Sequence, residues 1–146
     1  MAGKNLLCIW NHIWSLRKRP RFSSRRTSTS NCHGSPRRAA SGDIEAGIDA
    51  EVLQEILNRY RAIGRWTEGR EVCDLASRLF STIVPIDALT LDRARRLLDR
   101  YPELKARDAL HAAVVQQTGA SRFCSFDQDF DCIRTLSRLE PAAFTA

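Results

Sequence analysis

The sequence predicts a three-layer α/β domain, with a mainly parallel central sheet flanked by helices. In four separate stretches, near residues 49–64, 68–80, 88–101 and 106–118, apolar residues recur at spacings of three and four, the period of an amphipathic helix. Shorter hydrophobic runs near 82–87, 122–126 and 136–139 are too brief for helices and read as strands. Helix and strand alternate, the order that generates parallel sheets, and 146 residues suffice for one buried core.

Taken in order, the first helix carries Val52, Leu53, Ile56, Leu57, Tyr60 and Ile63 as one stripe. A turn of about 100° per residue places Glu55 on the flank of that stripe, where a helix borders a cleft. Glu51 lies on the same flank one turn earlier, and spacing does not separate the two; a solvated helix edge accounts for either. The next helix includes Val72-Cys-Asp-Leu-Ala76, in which Cys73 reads as a core residue.

The last helix is the most informative. Ala106, Ala109, Leu110, Ala113 and Val114 form its main stripe, and Ala112 with Val115 make the opposite face apolar too, so burial on most sides is expected. Gly119 supplies its stop. Asp108 falls in the first turn, where the macrodipole alone would favour it. The run Arg122 to Phe126 then reads as a strand, so that Asp127 emerges at a carboxyl end, where α/β sheets present their ligands. Asp127 and Asp129 also suit a turn cap. Glu55, Asp108 and Asp127 together point to a site for a hard cation, which requires them to converge. His111, one turn beyond Asp108, reads as structural, since histidine seldom ligates magnesium.

Three segments, Leu53-Gln-Glu-Ile-Leu57, Leu104-Lys-Ala-Arg-Asp-Ala-Leu-His-Ala-Ala113 and Ser125-Phe-Asp-Gln-Asp-Phe130, resemble successive motifs of the PIN-domain family. The similarity runs on through Leu136-Ser-Arg-Leu-Glu-Pro141 and covers residues 43–146. The resemblance implies a metal-dependent ribonuclease of the VapC toxin type, held inactive by a cognate antitoxin and able to form homodimers. It implies Glu55, Asp108 and Asp127 as catalytic metal-site acids, Asp129 as an auxiliary metal-binding carboxylate and Ser125 as a supporting hydroxyl. Mg²⁺, or Mn²⁺ in its place, is the implied cofactor. The chemistry would be phosphodiester hydrolysis, in which clustered carboxylates offset their repulsion by binding one or two cations that activate water. Arg59, Arg61, Arg65 and Arg107 are candidates for the RNA backbone, although solvated helix faces account for most of them equally.

The beginning of the chain is unlike the rest. Residues 1–42 contain nine Lys or Arg and no acid, a charge of +9, whereas residues 43–146 carry −3, which together make the net +6. The family's first strand ends in an Asp; here Asn5-Leu-Leu-Cys-Ile-Trp-Asn-His-Ile-Trp14 is hydrophobic enough for a strand, and near its expected end Asn11 is the only side chain with a metal-capable oxygen. The expected organisation is therefore a basic, disordered or aberrant leader over 1–42 and a PIN-like domain over 43–146 that lacks the usual first strand. Four accounts fit the leader: an RNA-contacting arm, an organellar targeting peptide, a solvated tail, and a shifted reading frame or wrong start. The last ranks first, because family-like sequence begins abruptly near Ser41-Gly-Asp-Ile-Glu45. Loss of the first-strand acid implies an impaired nuclease; the alternative is a catalytically inactive PIN-like module that still engages RNA or an antitoxin.

Several classes are disfavoured. No apolar run approaches the roughly 20 residues needed to span a bilayer, so no membrane partner is expected. There is no Gly-rich phosphate loop and no GxSxG segment, against a phosphate-loop NTPase and a serine hydrolase. Five cysteines at 8, 32, 73, 124 and 132, without CxxC spacing, suit a reduced, cytoplasmic compartment rather than a zinc site or disulfide framework.

Overall fold

The computed structural model of the chain describes residues 5–8, 45–120 and 122–140. Its centre is a five-stranded sheet of β1 (Asn5–Cys8), β2 (Glu45–Asp49), β3 (Thr82–Val84), β4 (Arg122–Cys124) and β5 (Arg138–Leu139), in the order β3-β2-β1-β4-β5. Every pairing is parallel, with Leu6 opposite Ala46 and Arg122, Ile48 opposite Ile83, and Cys124 opposite Leu139. Parallel neighbours require crossovers, and helices provide them. Two helices, α1 (Ala50–Ala62) and α2 (Trp66–Leu79), connect β2 to β3; two more, α3 (Ala88–Arg100) and α4 (Ala106–Thr118), connect β3 to β4. A short 3₁₀ turn, Gln128–Cys132, follows β4.

An all-parallel sheet is covered on both faces, and two core clusters show the division. Ala46 and Ile48 pack with Val52, Ile56 and Phe80, and Cys124 belongs to the same cluster. Phe123, the residue before Cys124, turns to the other face and packs with Ala94, Leu97, Val114, Val115, Phe130 and Ile133. Phe123 and Phe130 meet edge to face, their ring centres 5.2 Å apart. Thus α1 and α2 form one outer layer and α3 and α4 the other, the three-layer architecture expected from the alternation of periods.

Helix ends follow their side chains. Asp49 caps α1 by accepting from the Val52 amide at 3.1 Å, and Asp87 caps α3 by accepting from the Thr90 amide at 2.8 Å. The fully buried Thr90 hydroxyl also lies 2.7 Å from Oε1 of Gln117, tying the start of α3 to the end of α4. Helix α4 stops at Gly119, whose φ of 64° is left-handed, as its position after the apolar stripe predicts.

Two differences from the sequence expectation concern strands. Residues 45–49 form β2 although Glu-Ala-Gly-Ile-Asp has little β propensity; pairing on both sides, with β1 and β3, overrides local preference. Four residues of the basic leader, Asn5–Cys8, are the central strand, so the sheet draws on sequence before the expected boundary at 43. Residues 9–44, and with them Asn11 and the expected disorder of the leader, lie outside the described residues.

Gly69 shows how closely α1 and α2 pack. A Cβ there would collide with Cβ and Cγ of Tyr60, which belong to the body of that side chain and not to a mobile tip. Gly69→Ala is therefore expected to destabilise the protein by about 1–3 kcal/mol despite the better helix propensity of alanine, read as a lower urea midpoint at unchanged slope.

Candidate functional site

Parallel strands bring their carboxyl ends to one edge, and three acids from two segments meet there. Asp108 is in the first turn of α4, Asp127 follows β4, and Asp129 opens the 3₁₀ turn. Each offers a carboxylate oxygen, and these oxygens lie within 4.8 Å of one another. Asp108 is buried, Asp127 half-buried and Asp129 exposed, so the cluster opens from the domain interior toward solvent.

The segment carrying Asp127 is built by hydrogen bonds. The buried Ser125 hydroxyl accepts from the Asp127 amide at 3.0 Å, and Asp127 Oδ1 accepts from the Asp129 amide at 2.9 Å. Arg138 of β5 donates to the Ser125 carbonyl at 3.0 Å while its guanidinium is gripped by both oxygens of Asp131, at 2.7 and 2.9 Å. Asp127 is thus both a turn cap and a member of the acidic cluster, and Ser125 holds its backbone in place.

Charge balance around the cluster is incomplete. Burial, followed by the neighbouring Asp127 carboxylate, holds the Asp108 carboxyl above its ordinary range, while His111 and Lys105 oppose the shift. Lys105 Nζ lies 2.6 Å from Asp129 Oδ2, and that bond raises its own proton affinity. The donor set is oxygen-only and anionic, with close-set carboxylates, which fits a hard divalent cation such as Mg²⁺ or Mn²⁺ and does not suit a soft or imidazole-preferring metal.

Glu55 stands outside this cluster. It is buried on α1 and ion-paired with Nη1 of Arg107, the residue before Asp108; Nε of the same arginine lies 3.2 Å from Oε1 of Glu51. Burial pushes the Glu51 carboxyl up, partly offset by His111 and Arg107. The guanidinium therefore sits between the two acids that helical spacing could not separate, and joins both to the Asp108 helix. Arg65 is ion-paired with Glu68 at the surface.

One residue that sequence reasoning passed over is Asp49. It is completely buried, and its Oδ2 lies 2.6 Å from Nδ1 of the equally buried His111. Its place at the junction of a short apolar run and a helix was the available signal, but the partner is 62 positions away. Cys124 is buried and Cys73 packs against the α1–α2 side of the core; Cys132 donates through Sγ to the Asp129 carbonyl at 3.1 Å.

A parallel α/β sheet with three carboxylates grouped at its carboxyl edge is the arrangement on which the comparison with known proteins bears. A family model for the PIN domain matches residues 33–135, and this chain belongs to the PIN domain family. It is 41% identical over 101 residues to the VapC ribonuclease Mb1869c of Mycobacterium bovis and to ribonuclease VapC13 of Mycobacterium tuberculosis, covering 69% of this chain and 77% of each relative. Ribonuclease VapC23 of Mycobacterium tuberculosis is 40% identical over 78 residues, 53% of this chain and 61% of that protein. A solved toxin–antitoxin complex from Klebsiella pneumoniae contains a chain of similar fold, with a TM-score of 0.50 and 20% identity over 73% of this chain and 87% of that one.

The raised proton affinity of Asp108 has a sign that calorimetry can check. A carboxyl that holds its proton more tightly when folded costs stability as the pH rises above 3.8, the ordinary value, through its folded pKa. In chelator-treated protein at neutral pH, Asp108→Asn should raise Tm. The gain should shrink as the pH is lowered toward 3.8, where the wild-type group is itself protonated in the folded state.

Proposed function

We propose that this chain is a metal-dependent endoribonuclease of the VapC toxin type, acting on RNA in the cytoplasm and restrained by a cognate antitoxin. The observation that carries this proposal is the meeting of Asp108, Asp127 and Asp129 at the carboxyl edge of the sheet. The names of the relatives above agree with it, and no helix among the described residues is long and apolar enough to cross a membrane. Homodimerisation belongs to the same proposal.

In this mechanism Asp108, Asp127 and Asp129 would hold Mg²⁺ or Mn²⁺, with Glu55 as a further ligand or electrostatic partner. The bound cation supplies a Lewis acid that lowers the pKa of water and neutralises charge developing on the cleaved phosphate. Asp108 must be ionised to serve, which its burial opposes and a divalent charge reverses. Ser125 fixes the direction of Asp127 through the backbone. Arg107, paired with Glu55, would offer its guanidinium to a phosphate of the RNA backbone. Lys105, bonded to Asp129 at the exposed rim, is placed to draw an anionic strand toward the cluster.

A second function is favoured by one observation: residues 1–42, which include β1, contain no Asp or Glu. Without an acid at the end of the central strand the cation is less charge-compensated, and the chain would serve as a binding module for RNA or an antitoxin. Ligand misplacement of about 1 Å can cost roughly 100-fold in rate. Cleavage of a mixed RNA pool with Mg²⁺ separates the two. The chain as it stands should cleave weakly, and a version whose first 42 residues are replaced by a strand ending in Asp should cleave at least about 100-fold faster. Adding Asp108→Asn to the latter should abolish cleavage. Full activity in that last protein would end the carboxylate mechanism, and equal activity in the first two would show the missing acid to be dispensable.

A further inference from the structure

Asp49 ends β2 and begins α1, and its two carboxylate oxygens are used in opposite directions. Oδ1 accepts from the Val52 amide at 3.1 Å and so caps the helix that carries Glu51 and Glu55. Oδ2 lies 2.6 Å from Nδ1 of His111, and in the tautomer with the ring proton on Nδ1 the imidazole donates to it. His111 lies on α4 one turn after Asp108, on the same face of that helix. Ile48, the preceding residue, packs with α1 and α2, so strand alternation sends the Asp49 side chain to the other face of the sheet, where α4 lies.

Helices α1 and α4 occupy different layers and touch little elsewhere. Polar links between them among the described residues include the half-exposed Arg107 with Glu51 and Glu55, and the fully buried Asp49 with His111. A buried charge-assisted bond holds geometry more tightly than a solvated one, and removing one partner strands the other. The second ring nitrogen of His111 is also buried with no hydrogen-bond partner among the described residues, so the bond to Asp49 is the ring's hydrogen bond there.

We propose that Asp49 is a positioning residue of the acidic site: through His111 it sets the Glu55 helix against the Asp108 helix across the end of the sheet. This inference rests on the metal-site function proposed above. Asp49 touches neither cation nor substrate; it fixes where the acids of two layers stand relative to each other.

The test is Mn²⁺ binding by the full chain, followed by the electron paramagnetic resonance of free Mn²⁺, beside circular dichroism and thermal unfolding. Wild type should bind and Asp108→Asn should not. Asp49→Asn keeps an acceptor for the Val52 amide but loses the charge on His111, and His111→Gln removes the ring. Each should retain wild-type helical content yet bind Mn²⁺ at least tenfold more weakly, and the double variant no more weakly than either, because both break one link. Leu97→Ala, in the core beneath α3, should lower Tm and leave Mn²⁺ affinity as it was. Wild-type affinity in folded Asp49→Asn and His111→Gln would overturn the proposal. If either unfolds, the measurement is made in trimethylamine N-oxide, which favours the folded state; failure of both to fold there would assign Asp49 a purely structural role and overturn it too. A wild type that binds no Mn²⁺ would defeat the metal-site function itself, and this inference with it, a result distinct from normal binding in the variants.

Discussion

An all-parallel sheet leaves neither face to water, and most of this structure follows from that constraint. Five strands running one way need return segments, and among the described residues two helical pairs, α1 with α2 and α3 with α4, make the returns from β2 to β3 and from β3 to β4 and cover the two faces. The helices bury Ile48, Val52 and Ile56 on one side and Phe123, Phe130 and Val114 on the other. Because every strand points the same way, the chain leaves the sheet at a single edge after β2 and β4. Asp49 and Asp127 are placed at that edge by topology before any chemistry is considered.

The acidic edge works against the stability of the fold that builds it. Asp108 is crowded by Asp127 and removed from water, which raises its proton affinity. Lys105 and Arg107 supply local positive charge, but they are spent on Asp129 and on Glu51 with Glu55. A fold that needed only to be stable would have an apolar residue or an amide at position 108. A ligand that brought positive charge to this edge would relieve that repulsion, as the metal-site proposal requires.

The central strand carries a separate tension. Asn5–Cys8 supplies the hydrogen bonds that join β2 to β4, and without it the sheet would be two fragments. Backbone pairing asks little of side-chain chemistry, so an apolar run can complete the sheet while contributing no carboxylate to the edge. Architecture and acid supply are thereby separable in this chain: the parallel order is intact, and the clustered acids come from α4 and the segment after β4.

Local periodicity made the four helices, the strands after Phe80 and Ala120, and the stop at Gly119 legible in the sequence, because each depends on residues within a few positions of one another. Asp108 and Asp127 stood out for a related reason, as carboxylates set where neighbouring apolar residues predict burial or a strand end. What the sequence by itself could not determine is every relation whose partners are distant along the chain. Strand β2 has weak propensity and exists because β1 and β3 flank it. Glu55 and Glu51 look alike on a helix flank until Arg107 lies against both. Asp49 and His111 read as ordinary residues of a strand end and an apolar helix, and only folding, which removes both from water and brings 62 positions of chain together, makes them one buried bond. Burial and pairing are properties of the three-dimensional neighbourhood, and that neighbourhood is set by the tertiary fold.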